Sequence, residues 1–510
     1  MLLRLISCME WKISLSFCLF SILIPLFTFG QVQIGSDLLG EGPGDQFGSS
    51  VSLSADGSIL AVGAVGHHTS SNNIYGYVKI YENINGNWLQ IGTDIIGEAQ
   101  EGQFGKSVSL NSNGSIVAVG APYNDGNGSL LYNCGHVRIY ENINGDWMQI
   151  GSDIDGEAEW DASGFNLSLS ADGSVVAIGS HNNDGNGDYS GHVRVYENIN
   201  GNWIQIGSDI DGEAEWDVSG NSVSLNEDGS ILAIGAPHND GNGDDSGHVR
   251  VYENINGNWI QIGPDIDGEN AGDRSGNSVS LNADGSKIAI GAYESSDNGL
   301  ENAGHVRVYE NIDDNWVQIG SDIDGENAGD FFGEEVSLSA DGSKVAISAV
   351  YNDDGGLNSG YVKVFEYSNG TWINFLDNIL GEGTGAQFGR SLSLSADGSK
   401  LSAGTPHFDF TGIVGVGHVR VFDLRSTLDS NEFLTIHDFK LFPNPADNQF
   451  NIQLADDIFL EQVNVLNGFG QTIITSKSKI INSSDYSSGL YFIEIITSKG
   501  KAIKRLIIDR

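Results

Sequence analysis

The sequence predicts an all-β protein, a seven-bladed β-propeller followed by a small β-sandwich. Three recurrences predict it. Tryptophan returns at Trp88, Trp147, Trp203, Trp259, Trp316 and Trp372, 56 to 59 residues apart. A turn dipeptide returns seven times, at Asp56-Gly57, Asn113-Gly114, Asp172-Gly173, Asp228-Gly229, Asp284-Gly285, Asp341-Gly342 and Asp397-Gly398. A Gly-His-Val-Arg-Val-Tyr-Glu-Asn segment or a close variant begins at Gly76, Gly135, Gly191, Gly247, Gly304, Gly360 and Gly417. A fixed period of this size marks a propeller, a solenoid or an array.

Residues 1–30 read as a secretory signal. Arg4 and Lys12 precede an apolar run over residues 13–29, and small residues stand near its end. No later segment is apolar for the ~18 residues that a helical membrane span needs. Cys8 and Cys18 fall within the signal, which leaves Cys134 alone and without a disulfide partner.

The unit around residue 230 shows how one blade is written. Ser222-Val223-Ser224-Leu225 alternates polar and apolar, and Asp228-Gly229 turns the chain. Ile231-Leu232-Ala233-Ile234 is apolar throughout, as a strand covered on both faces must be. His248-Val249-Arg250-Val251-Tyr252 alternates again, and Asn256-Gly257 leads into Trp259-Ile260-Gln261-Ile262. Four short antiparallel strands in about 56 residues describe a propeller blade. A right-handed β-helix is the main rival, but its coils are shorter and lack two hairpin turns.

Seven turn units face only six tryptophan strands, and the seventh unit stops after Val419-Arg420-Val421-Phe422. The missing strand stands at the start of the exported chain. Gln31-Val32-Gln33-Ile34-Gly35 matches Trp-Ile-Gln-Ile-Gly of the fourth strands. The expectation is that it completes the last blade and covers an edge that would otherwise invite aggregation. The expected organisation is a signal at 1–30, a propeller at 31–425, a linker at 426–437 and a C-terminal domain at 438–510.

Charge supports the boundary. The whole chain of 510 residues carries 68 acidic and 24 basic side chains, net −44. Residues 31–437 hold −45 of that, while residues 438–510 balance eight against eight. A polyanion of this size is repelled by phosphate backbones and by anionic lipid, which excludes a nucleic-acid binder.

The blades resemble FG-GAP repeats, the propeller units of the integrin α-chain head. The Phe-Gly pair stands at Phe47-Gly48, Phe104-Gly105, Phe332-Gly333 and Phe388-Gly389, and the triplet at Gly120-Ala121-Pro122 and Gly235-Ala236-Pro237. Three blades carry Ser-Gly instead, at Ser163-Gly164, Ser219-Gly220 and Ser275-Gly276. The family's calcium loop between first and second strands is absent here, so that ion is not carried over. Residues 438–510 resemble the type A C-terminal sorting domain of the bacterial type IX secretion system. The matching pieces are Leu441-Phe442-Pro443-Asn444-Pro445, Val463-Asn464-Val465-Leu466-Asn467 with Gly470, Gly489-Leu490-Tyr491-Phe492 and a basic end over 501–505. Pro443, Asn444, Pro445, Gly489 and Tyr491 are the residues that carry the sorting motif. The resemblance implies a small β-sandwich, the type IX machinery as partner, passage across the outer membrane, and removal or surface attachment afterwards.

Strand reversal puts the two tight hairpins of each blade on one face of the disc and the two long connections on the other. The long loops hold most of the carboxylates. Asp184, Asn186 and Asp188, and again Asp240, Asn242 and Asp244, have the D-x-N-x-D spacing that lets alternate oxygens converge on Ca2+. Val195 and Val251 stand where a full EF-hand loop has its bidentate Glu. The competing reading of the same residues is Asx turns on a solvated acidic rim. The Asp-Ile-Asp sets, such as Asp209 and Asp211, read as loop supports.

His136, His192, His248, His305 and His418 recur at one strand position, which assigns them to the framework. Tyr123, His181, His238, Tyr351 and His407 follow second strands. They form a candidate ligand-binding ring at the channel mouth, glycan among the ligands; packing of the loops is the alternative. No credible nucleophile elbow, H-E-x-x-H, P-loop or CxxC is present, and no unique catalytic set stands out. The reading is a secreted or surface-displayed binding or adhesion module. A polymer-acting hydrolase or lyase with its site on the long-loop face is the alternative, and a purely structural surface-layer component is a third class.

Overall fold

The computed structural model describes residues 31–66, 75–126, 131–296, 299–410, 412–425, 439–454, 458–467, 472–497 and 500–508. The expected signal, the expected linker and Gly470 lie outside them.

All the regular elements are strands. Seven five-stranded antiparallel sheets follow one another along the described residues of 31–425, each with four strands in a row and a short fifth beside the third. In the unit around residue 230 the strands are Ser222–Leu225, Ile231–Ala236, His248–Ile255 and Asn258–Gln261, paired in that order. At the first turn, Asp228 Oδ1 accepts the Ser230 N–H at 2.9 Å, an Asx turn that holds the hairpin. At the second, Asn256 (φ 54°) and Gly257 (φ 84°) both take left-handed conformations, as a type I′ turn requires. The second strand is buried along its length because a neighbouring blade covers each face. The structure adds one feature to the expected blade. The Asp-Ile-Asp segment is not plain loop: Ile266–Asp267 forms a fifth short strand against His248 and Val249, and every blade repeats the pairing.

Polar ties join blade to blade. The innermost strand of a sheet is an edge with unpaired N–H groups. In each blade the serine of the Val-Ser-Leu run turns its Oγ to the next blade. Ser52 accepts Leu110 N–H, Ser109 accepts Leu169, Ser168 accepts Leu225, and so on round to Ser393 accepting Leu53, seven bonds at 2.9–3.1 Å. Below it a backbone ring runs Ala55, Ser112, Ala171, Glu227, Ala283, Ala340 and Ala396, each N–H donating to the next carbonyl and Ala396 returning to Ala55. At the rim, the indole Nε1–H of each of the six repeated tryptophans donates to an isoleucine carbonyl of the preceding blade, as Trp203 does to Ile150 at 3.1 Å.

The last sheet takes its outer strand from Val32–Gln33, more than 380 residues before the last of its other strands ends. Val32 pairs with Asp423 and Gln33 with Phe422, and Ile34 N–H donates to Val421 O at 2.7 Å. Trp88 of the first blade then bonds to Ile34 O at 3.0 Å, as it would to any other blade.

Residues 439–508 form a second unit with its own core. A three-stranded sheet and a four-stranded sheet share a cluster that includes Phe439, Phe450, Val463, Val465, Ile493, Ile495 and Leu506.

Candidate functional site at the channel mouth

The Phe-Gly or Ser-Gly pair stands at the head of each blade's first strand, opening it in the first and sixth blades and ending two residues before it in the others. Its glycine holds a left-handed φ, from 84° at Gly164 to 95° at Gly333. In the first and sixth blades the ladder register shifts here, between Phe47 and Ser50 and between Phe332 and Val336. A bulge at such a glycine re-aims the following side chain. That residue lines the central channel in all seven blades: Ser49, Lys106, Phe165, Asn221, Asn277, Glu334 and Arg390. Glu335, Tyr293 and His407 line the same cavity, which has a volume of about 540 Å³ and lies toward the long-loop face. That volume is in the range of small-ligand pockets.

These side chains form a connected wall. Arg390 and Glu334 form an ion pair across neighbouring blades. Asn221 Nδ2 donates to Asn277 O at 3.2 Å, and Asn277 Nδ2 donates to Glu334 O at 3.1 Å. Lys106 Nζ lies 4.6 Å from the centre of the Phe165 ring, and Phe165 packs on His181 at 4.1 Å between centroids. Arg274 donates to Tyr293 OH at 2.8 Å and pairs with Glu294 at 3.0 Å. The charged groups are half-buried, with protein around the channel on every side. Burial pushes the Glu335 carboxyl up to about 7, helped by the Glu334 charge beside it. Burial and the nearby Arg390 lower the Lys106 ammonium. His181 is pushed down to about 4 by burial and by Lys106. The mouth thus holds a cation, a carboxylate that titrates near neutrality, amides and an aromatic wall.

The ring expected from sequence divides into two registers. His181 aligns with Pro122 and Tyr293, one residue earlier than Tyr123, His238, Tyr351 and His407, so it does not share their position. His407 lines the cavity and His181 reaches it through Phe165. Tyr351 packs on Phe331 at 5.1 Å, and His238 Nδ1 sits 2.9 Å from Asp245 Oδ1. The Phe-Gly follower residues escaped the sequence reading, although a signal was there. They are the register at which seven otherwise similar units carry five different chemistries.

The D-x-N-x-D loops work as clamps. Asp184 Oδ1 accepts Tyr189 N–H, and Asp240 Oδ1 accepts Asp245 N–H, both at 2.8 Å. Asn186 Nδ2 donates to Gly212 O and Glu213 O at 2.9 and 3.0 Å, and Asn242 repeats this on Gly268 and Glu269. Asp188 O and Asp244 O accept Trp216 N–H and Gly272 N–H. Those amide groups face carbonyls of the next loop.

A second ring explains the Asp-Gly-Glu loops. The basic residue of each third strand reaches the glutamate of the loop ahead of its blade. The pairs are Lys79–Glu41, Arg138–Glu98, Arg194–Glu157, Arg250–Glu213, Arg307–Glu269, Lys363–Glu326 and Arg420–Glu382. Glu98, His136 and Asp153 come together with metal-ligand chemistry, as do His305, Asp322 and Asp324. There Arg138 and Arg307 already bond the carboxylates, so a divalent ion would have to displace a guanidinium. The repeated histidines are buried, and His136, His192, His248 and His418 are pushed down to about 4 by burial and then by the adjacent arginine.

In the C-terminal unit the sorting residues close the fold. Asn444, between Pro443 and Pro445, donates through Nδ2 to Arg505 O and accepts Ile507 N–H, both at 2.9 Å, which ties the turn to the last strand. Gly489 opens the Gly489–Thr497 strand, and Tyr491 OH donates to Ser487 O at 2.9 Å.

Comparison with known families agrees with this division. Residues 323–365 match the FG-GAP repeat, and residues 440–509 match the secretion system C-terminal sorting domain. The chain thus carries an FG-GAP repeat within an all-β repeat fold and a type IX secretion C-terminal sorting domain. That domain marks it for secretion and attachment to the cell surface, with the secretion machinery as its partner. No curated protein matches the chain.

Proposed function

We propose that the exported propeller is a binding module that takes an extracellular ligand at the channel mouth on its long-loop face. One observation carries the reading. Framework positions repeat from blade to blade, whereas Lys106, Phe165, Asn221, Glu334 and Arg390 stand at one register and differ. Structure alone asks for repetition there; recognition asks for a particular set. Adhesion is the role such a module serves on a cell surface. The boundaries that accompany this proposal are a signal at 1–30, a propeller at 31–425 and a linker at 426–437.

A panel of soluble glycans and matrix proteins tested against the secreted protein, with and without Ca2+, checks it. Binding is expected to weaken at least tenfold in Lys106→Ala and in Glu335→Gln, with folding intact. Binding that survives both, or no binding at all, counts against the reading.

A further inference from the structure

Eight tryptophans lie among the described residues, and they divide sharply. Six are the repeated residues whose Nε1–H is bonded to the preceding blade. The other two, Trp160 and Trp216, are 55% and 57% exposed, and no hydrogen bond from either indole is seen among the described residues. Each lies in the long connection ahead of a blade, at equivalent places in Glu159-Trp160-Asp161 and Glu215-Trp216-Asp217.

Their backbone conformation is unusual for so large a residue. Trp160 has φ 72° and Trp216 φ 71°. Four other blades place glycine at this register, Gly44, Gly272, Gly329 and Gly385, all with positive φ. A left-handed conformation suits glycine and is unfavourable for a bulky side chain. Local strain of this kind gathers at functional positions. Each indole also has an aromatic companion. Tyr189 stacks on Trp216 at 4.7 Å with 16° between planes, and Tyr132 packs on Trp160 at 5.2 Å. Tyr132 and Tyr189 are themselves 56% and 41% exposed.

We propose that these two pairs are twin stacking platforms for a neutral polysaccharide, a site separate from the channel mouth. A flat, open ring offers the apolar face that the C–H side of a pyranose covers. The free Nε1–H and the adjacent carboxylates of Glu159 and Glu215 offer a donor and acceptors to its hydroxyls. The net charge of −45 over residues 31–437 opposes an anionic polymer. A peptide anchor calls for a concave, desolvated pocket, and Trp160 and Trp216 are more than half exposed. Two platforms in successive blades let one chain engage both, so that their affinities compound.

The test is affinity electrophoresis of the full exported protein through gels containing laminarin, mannan, dextran or alginate, with a lysine-rich peptide titrated in parallel. Retardation is expected in at least one neutral glucan or mannan and not in alginate. Trp160→Gly and Trp216→Gly copy the residue of four other blades, so both variants keep the fold. Each should weaken retention severalfold, and together they should abolish it, while Met148→Ala, at an exposed rim position outside both sites, leaves it unchanged. Retention that persists in the double variant, absence of retention in every neutral polymer, or a preference for alginate or the peptide overturns the proposal.

Discussion

At the scale of single residues, the same side chain does different work depending on its register. Trp203 ends in a hydrogen bond to Ile150 and packs into the core shared with the preceding blade, whereas Trp216 is 57% exposed and stacks on Tyr189. Trp203→Phe is expected to lower the stability of the propeller by about 1 kcal/mol, the worth of a lost neutral hydrogen bond, read as a lower denaturant midpoint at unchanged slope. Trp216→Gly should leave that midpoint where it is or raise it. Titration gives a second expectation. His136, His181, His192, His248 and His418 have native values near 4, below the ~6.5 of an unfolded histidine. Between these values the unfolded chain binds protons that the native chain refuses. Stability is therefore complete above about pH 6.5 and falls as the pH drops toward 4, each histidine removing up to ~3 kcal/mol. Glu335, held near 7, acts in the opposite direction, as do Asp155, Asp161, Asp211, Glu213, Asp267, Asp330 and Glu334, whose carboxyls burial raises, so the five histidines act most plainly in the upper part of this range. Thermal midpoints measured from pH 7 to pH 4 should fall steeply, and His192→Gln should make the fall shallower.

At the scale of the element, the blade was legible because its signals are local. Asp-Gly and Asn-Gly turns, alternating first and third strands and an apolar second strand each report their own geometry. The Ile266–Asp267 strand was not legible, since two residues carry no period and pair only because the third strand presents a free edge to them. The inter-blade ties were hidden for a related reason. Nothing in Val-Ser-Leu says that the serine oxygen will meet an amide 57 residues further on. Ser224→Ala removes the acceptor of Leu281 N–H, leaving an edge amide unpaired, and should cost about 1–2 kcal/mol. Hydrogen exchange at Leu281 should speed up while Leu232 in the neighbouring second strand is unchanged. The channel register could have been read from the sequence, but only by asking where repetition fails instead of where it holds. The sorting turn shows the opposite case. Its Pro443-Asn444-Pro445 is conspicuous in sequence, yet the reason for the asparagine appears only when it bridges to Arg505 and Ile507, more than 60 residues away.

At the scale of the whole molecule, everything turns on closure. Seven sheets tied by serine oxygens, backbone amides and Arg–Glu or Lys–Glu pairs enclose a channel only if the last is tied to the first. Leu53 donates to Ser393, Ser391 donates to Gly48 O, and Ala396 donates to Ala55 O across that junction. An open ring would expose the outer edge at Phe422 and spread the channel-mouth residues beyond the reach of one ligand. The negative charge lies in residues 31–437, and the near-neutral C-terminal unit is the part that meets the secretion machinery.

Amide hydrogen exchange across the junction tests this most directly. Protection of Gln33 and Ile34 should equal that of Gln205 and Ile206, their counterparts in an internal blade. Exchange of Gln33 and Ile34 at the rate of an unstructured peptide, with the internal pair still protected, would contradict the closed ring and the site built on it.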